Sequence, residues 1–285
     1  MARLCVNPAT TMPSDFATDV RAYSAAGFRA MELWLAKVER YLAEGGSLAA
    51  AASLLREHGL RAPAACSQGD LMLSEGEERR RSLDELRRRL EILAAIGCPT
   101  LIVVAEALPQ PLPRPLDSLY ARAAAGLAEA CDLARPYGVS LALEFIKGPR
   151  LAGTPLTAQE IARRAERENA GVLFDTFHFY AGYGKLEDLE RLDGRRVLFV
   201  HVNDAPGSFP REALSDKERV FLGEGGFPLA AIFQGLRRAG YAGYYSLELF
   251  NDEVWALDPF AAARRAYANM VERLGPDEAA DERNG

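Results

Sequence analysis

The stretch between residues 139 and 202 reads VSLALEF at 139–145, GVLFD at 171–175 and VLFVHV at 197–202, with longer amphipathic segments between the runs. Short aliphatic runs that carry few polar side chains, most of them at the end, are how strands buried on both faces of a parallel sheet read. The same unit recurs outward toward both ends of the chain. Candidate strands lie at 3–7, 29–34, 60–65, 100–105, 139–145, 171–175, 197–202 and 243–249. Helical periodicity fills the gaps at 14–26, 48–58, 77–96, 116–137, 158–168, 185–192 and 229–239, and again at 259–274 after the last strand. Gly27, Gly59, Gly97, Gly138 and Gly240 each stand between a helical pattern and the next strand, where a C-terminal cap needs positive φ. Eight strands each followed by a helix, in 285 residues with no break in composition, predict one (β/α)8 TIM barrel over residues 1–274. No G-x-G-x-x-G follows the first strand, which removes the main marker of an open dinucleotide-binding sheet. The polar segment 275–285 reads as a disordered tail.

Composition narrows the function. With 34 Lys+Arg against 40 Asp+Glu, a net charge of −6, the chain lacks the basic footprint of a nucleic-acid or anionic-membrane partner. The opening MARLCVNP has no apolar signal core, and no stretch is apolar for the 18 or so residues that a membrane span needs, so a soluble cytoplasmic protein is expected. Cys5, Cys66, Cys98 and Cys131 are scattered without a C-x-x-C pair and read as small buried hydrophobes. The Pro-rich segment 108–115 reads as a stiff loop. The irregular segment 203–227 is long enough to be a functional loop, and it falls where a barrel places its active site.

In such a barrel the reacting groups come from the C-terminal ends of strands. Glu144, Asp175, His201 and Glu248 fall there on four consecutive strands. Each alone has an ordinary explanation, as a cap, a solvated acid or a core histidine. Three carboxylates converging on one mouth would repel one another unless a cation or protons joined them. A divalent metal supplies that cation, with His201 as the nitrogen ligand, and the donor set is compatible with Mn2+, Mg2+, Co2+ or Zn2+. An open site of this kind polarises a carbonyl while a carboxylate moves a proton on carbon. For His178, orienting Asp175 and contacting substrate are equal readings. Arg219 is either a group folded over the site or a solvated loop charge. Glu32 and Asn7 fall near the mouth, with helix capping or solvation the better reading, and His58 reads as a helix C-cap. Lys147 suggests a Schiff base only weakly against a solvated lysine. Gly223-Glu-Gly-Gly226 lacks the Lys-Ser/Thr of a phosphate loop and reads as a turn.

The motifs LEF at 143–145, FDTFH at 174–178, HVND at 201–204, RVFLGEG at 219–225 and SLELF at 246–250, with the opening LCVNPATT, resemble the sugar isomerase/epimerase superfamily of xylose isomerase-like TIM barrels. Within it the likeness is greatest to the 2-keto-myo-inositol (inosose) isomerases of inositol catabolism. The resemblance implies one divalent metal held by Glu144, Asp175, His201 and Glu248. It also implies Glu144 and Glu248 as the catalytic bases on opposite sides of the substrate, with His178 and Arg219 as substrate contacts. The implied reaction is proton transfer in a keto-polyol or ketose through a metal-stabilised enediolate, with no organic cofactor. The implied partner is a small sugar or cyclic polyol, and because such barrels are often dimers or tetramers the resemblance leaves a homo-oligomer open. After the fifth strand, Ile146-Lys-Gly-Pro-Arg150 departs from the loop expected of the family, so the substrate stays open. Two other readings stand beside this one: a lyase of the same fold, of the inosose or 3-dehydroshikimate dehydratase type, and a non-catalytic metal- or sugar-binding barrel.

Overall fold

The computed structural model describes residues 2–276. Its strands are β1 (Arg3–Val6), β2 (Leu33–Trp34), β3 (Ala65–Gln68), β4 (Thr100–Val104), β5 (Ser140–Glu144), β6 (Ala170–Asp175), β7 (Val197–Val202) and β8 (Tyr244–Leu247). All pair in parallel, in the order β1-β8-β7-β6-β5-β4-β3-β2. The Glu32 amide donates to the Val6 carbonyl at 2.9 Å and so joins the chain entering β2 to β1, which brings the two ends of the sheet together. This is the TIM barrel that the βα repeat predicts.

The strands expected at 29–34 and 60–65 are shorter and shifted. Regular pairing starts only at Leu33 and Ala65, preceded by an isolated bridge between Ala30 and Arg61. Pro63 has no N–H to donate, so the ladder is interrupted in the middle of the expected third strand.

The larger helices are α1 (Phe16–Ala26), α2 (Leu35–Ala43), α3 (Leu48–Glu57), α4 (Gly76–Ile96), α5 (Leu116–Ala134), α6 (Pro155–Arg164), α7 (Thr176–Ala181), α8 (Leu229–Arg238), α9 (Asp252–Trp255) and α10 (Pro259–Leu274). Their starts are written locally. Asp15 accepts from the Thr18 amide ahead of α1, and Thr154 and Asp258 cap α6 and α10 with a proline in the first turn. Thr154-Pro155 therefore starts α6 three residues before the expected 158. The five cap glycines all have positive φ, from 66° to 112°. The helix expected at 185–192 is a 3-10 turn (Leu186–Glu190). Of the tail expected from 275, only Gly275 and Pro276 are among the described residues.

Two layers of core follow from the strand period of two. Leu4, Val6, Leu141, Leu143, Val172, Phe174, Val200 and Val202 face the helices. Cys5, Ala30, Ala64, Ala142, Leu173 and Phe199 form a separate interior cluster with Cys66 and Ile102. All four cysteines are buried and unbridged. Among the described residues, no helix is long and apolar enough to cross a membrane.

Candidate active site

Along every strand but β4, a step of two residues from the inward-facing layer brings the next inward side chain to the C-terminal end of the barrel, where Cys66 borders both layers. Ala142 leads to Glu144, Leu173 to Asp175, Phe199 to His201, Cys5 to Asn7, Ala30 to Glu32 and Ala64 to Cys66. Glu248 follows Ser246 by the same step. The apolar layer below thus becomes the floor of a polar layer.

Glu144, Asp175, His201 and Glu248 each place a ligand atom so that all four lie within 4.8 Å of one another, and all four are buried. His201 Nδ1 is 3.2 Å from Glu248 Oε2, 3.6 Å from Glu144 Oε1 and 3.8 Å from Asp175 Oδ2. That nitrogen is buried and has no hydrogen-bond partner. Burial works against a charged ring, but Glu248 and Glu32 outweigh it and raise the His201 pKa well above its ordinary value. Electrostatics that favour a proton at this nitrogen also favour a metal cation. An orphaned nitrogen facing three carboxylates therefore fits the donor set of a divalent ion.

The carboxylates are not equivalent. Burial pushes Glu144 up to about 7. Burial would raise Asp175 too, but Arg219, His178 and His201 outweigh it and hold it down to about 2. Asp175 also divides its oxygens: Oδ1 accepts from the Phe177 and His178 amides and caps α7, while Oδ2 faces Arg219 at 2.9 Å. Glu248 accepts from Asn7 Nδ2 at 3.0 Å on Oε1 and from Arg219 Nη1 at 2.6 Å on Oε2.

Arg219 is 1% exposed, so the solvated reading does not hold. Its guanidinium bonds Asp175, Glu248 and Asp216 and lies over the rings of Phe177 and Phe250 at 4.7 and 5.3 Å. The 203–227 loop delivers it by pairing with itself: Asp204 and Val220 exchange both backbone hydrogen bonds. The Asp204 carboxylate also accepts from the amides of Gly223 and Phe227 at 3.0 and 2.9 Å. Within the glycine segment the Gly223 amide goes to this aspartate, the Glu224 amide to the Phe221 carbonyl and the Gly226 amide to the Ala205 carbonyl, which makes it the expected turn.

His178 sits on α7 with Nε2 3.4 Å from Arg219 Nη2 and 4.0 Å from Glu144 Oε1, and its Nδ1 is buried without a partner. Burial holds its pKa below the ordinary value. It reaches Asp175 through its backbone amide. His58 caps α3, its Nδ1 3.0 Å from the Leu54 carbonyl. Lys147 is half-buried and bonds the Leu214 carbonyl rather than standing in solvent.

Glu32 corrects the expectation of capping or solvation, and Asn7 bears out the capping but not the solvation. Both are 0% exposed. Asn7 does cap the following turn by accepting from the Ala9 amide, but its amide nitrogen donates into the site. Glu32 Oε1 is 3.1 Å from His201 Nε2. Inward parity was the available signal, obscured because both residues lie just outside regular strand, Asn7 after β1 and Glu32 before β2.

Comparison with known proteins comes to the same place. The family model of the xylose isomerase-like TIM barrel matches residues 20–273. An inosose isomerase of Bacillus velezensis is 30% identical over 259 residues, 90% of this chain and 91% of that one. A crystal structure described as the IOLI protein with a binding zinc atom superposes with a TM-score of 0.89 at 27% identity, covering 95% of this chain and 97% of that one. A 3-dehydroshikimate dehydratase of Pseudomonas aeruginosa is 29% identical over 60% of this chain and 26% of its own length.

Proposed function

This chain belongs to the xylose isomerase-like TIM barrel family and is an enzyme of the isomerase and epimerase class, and from that premise we propose that it is a metal-dependent isomerase of a cyclic keto-polyol, of the inosose type. The observation that carries the reading is the four-residue cluster around His201 Nδ1, a buried nitrogen with no protein partner. Glu144, Asp175, His201 and Glu248 would hold one divalent ion. When bound, such an ion supplies Lewis acidity toward a substrate carbonyl or hydroxyl oxygen.

The remaining work falls to this chain's own groups. Glu144 and Glu248 are the pair we assign to proton transfer at the carbons flanking the ketone, one removing and the other returning a proton. Asn7 and Arg219 engage one oxygen each of Glu248, so its carboxylate plane is set before substrate arrives. We assign the unpartnered Nδ1 of His178 to a substrate hydroxyl, and beside it Arg219, whose guanidinium would share with the substrate the donors that now bond Asp175, Glu248 and Asp216. Phe177 and Phe250 pack against the Arg219 guanidinium, and Phe250 meets Trp34 in an edge contact at 6.1 Å.

The likeness to a dehydratase supports one rival, in which the same α-proton is lost but a β-hydroxyl then leaves. Product mass separates them. Incubating the metal-loaded protein with an inosose is expected to give a product of unchanged mass. Loss of one water would assign the lyase reading instead.

A further inference from the structure

Glu32 is the one carboxylate of the polar layer that the proposed reaction leaves without a task. It is 0% exposed, and its Oε1 and Oε2 lie 3.1 and 3.2 Å from His201 Nε2. Ser246 Oγ donates to Oε1 at 2.5 Å and Cys66 Sγ to Oε2 at 3.0 Å. A carboxylate has only lone pairs to offer, so this geometry is bonding only when the His201 proton sits on Nε2. The other ring nitrogen, Nδ1, faces Glu144, Asp175 and Glu248 and is the one left to a metal ion. Arg219 bonds Asp175, Glu248 and Asp216, so the Glu32 charge is answered through the His201 ring. Asn7 Nδ2 closes the arrangement by donating both to Cys66 Sγ at 3.2 Å and to Glu248 Oε1 at 3.0 Å.

We infer that Glu32 is a positioning residue of the metal centre: it holds His201 in the Nε2–H form and aims Nδ1 at the ion, with Ser246 and Cys66 fixing the Glu32 carboxylate in turn. The inference rests on the metal reading above. It places a residue from the opposite side of the barrel, outside the four-strand cluster, in control of the cluster's only nitrogen. Outer carboxylates on a ligating histidine typically change metal affinity by about 10- to 100-fold.

Two measurements test it on the full chain. With 15N-labelled histidine and 113Cd2+, the metal–nitrogen coupling is expected on Nδ1 of His201, with a proton on Nε2. This readout needs no substitution and stands whether or not a variant folds. In parallel, Zn2+ affinity by chelator competition is expected to fall about 10- to 100-fold in Glu32→Gln, which keeps the shape and removes the charge, with thermal unfolding of the metal-free protein little changed. Ser246→Ala should weaken affinity less. Coupling on Nε2, or wild-type affinity in Glu32→Gln, would overturn the inference while leaving the metal reading intact. Glu32, Cys66 and His201 also lie close enough to hold an ion themselves. A second equivalent of metal that disappears in Cys66→Ala would therefore overturn it too. A wild-type chain that takes up neither Cd2+ nor Zn2+ overturns the metal reading, and the inference falls with it.

Discussion

Lys37 shows what a single buried charge does for this site from a distance. Its ammonium donates to the Pro8 and Thr11 carbonyls at 3.1 and 2.9 Å and to Asp19 at 2.7 Å, with both charged groups buried. It thereby pins the turn that begins at Asn7, whose amide in turn holds Glu248. Burial pushes Lys37 down and Asp19 up, so each charge depends on the other. Breaking such a pair from one side costs about 3–5 kcal/mol, because the partner is left buried and uncompensated. Lys37→Met is expected to lose that much by denaturant unfolding, and Lys37→Met with Asp19→Asn is expected to recover part of it. The positions of Glu144, Asp175, His201 and Glu248 were legible in the sequence because each lies within one residue of the end of a strand that reads as a clear apolar run. Glu32 and Asn7 were harder to read. Neither lies within regular strand, and a polar residue near a short apolar run reads equally as a cap.

At the scale of elements, the helices were legible where capping chemistry and periodicity agreed, as at α10, and misplaced where a local signal outweighed periodicity, as at Thr154-Pro155. Strand three was shifted because the effect of Pro63 is felt in the ladder rather than in the apolar pattern. The packing of α5 gives a prediction at this scale. A Cβ on Gly126 would meet the Met72 and Leu71 carbonyl oxygens at 2.6 and 2.8 Å. Those carbonyls have little freedom, since the Glu106 carboxylate holds the Met72 and Leu73 amides at 2.6 and 2.8 Å and Arg79 bonds the Leu71 carbonyl. Alanine gains about 1 kcal/mol of helix propensity over glycine, whereas forcing atoms into a packed contact costs typically 1–3 kcal/mol. Gly126→Ala is therefore expected to be net destabilising by calorimetry. Gly69→Ala, at a glycine with open space around it, should stay within about 0.5 kcal/mol of the parent.

For the whole molecule, seven of the eight strands deliver one polar layer onto an apolar floor, and that layer gathers three carboxylates and a fourth behind the histidine. The cluster is a local concentration of like charge that a bound cation relieves, so metal should stabilise the native state alone. At a free metal concentration about 100 times Kd the gain is about 2.7 kcal/mol, and a chain of this size shifts Tm by about 2–4 °C per kcal/mol. Chelation is expected to lower Tm by several degrees, and added Zn2+ or Mn2+ to restore it. The central claim concerns proton movement at carbon, and exchange with solvent reads it most directly. In D2O, the metal-loaded protein is expected to place deuterium on the carbon beside the ketone of an inosose, and Glu248→Gln, folded and metal-loaded, is expected to place none. Absence of deuterium uptake by the wild-type protein from inososes and ketoses alike would contradict it.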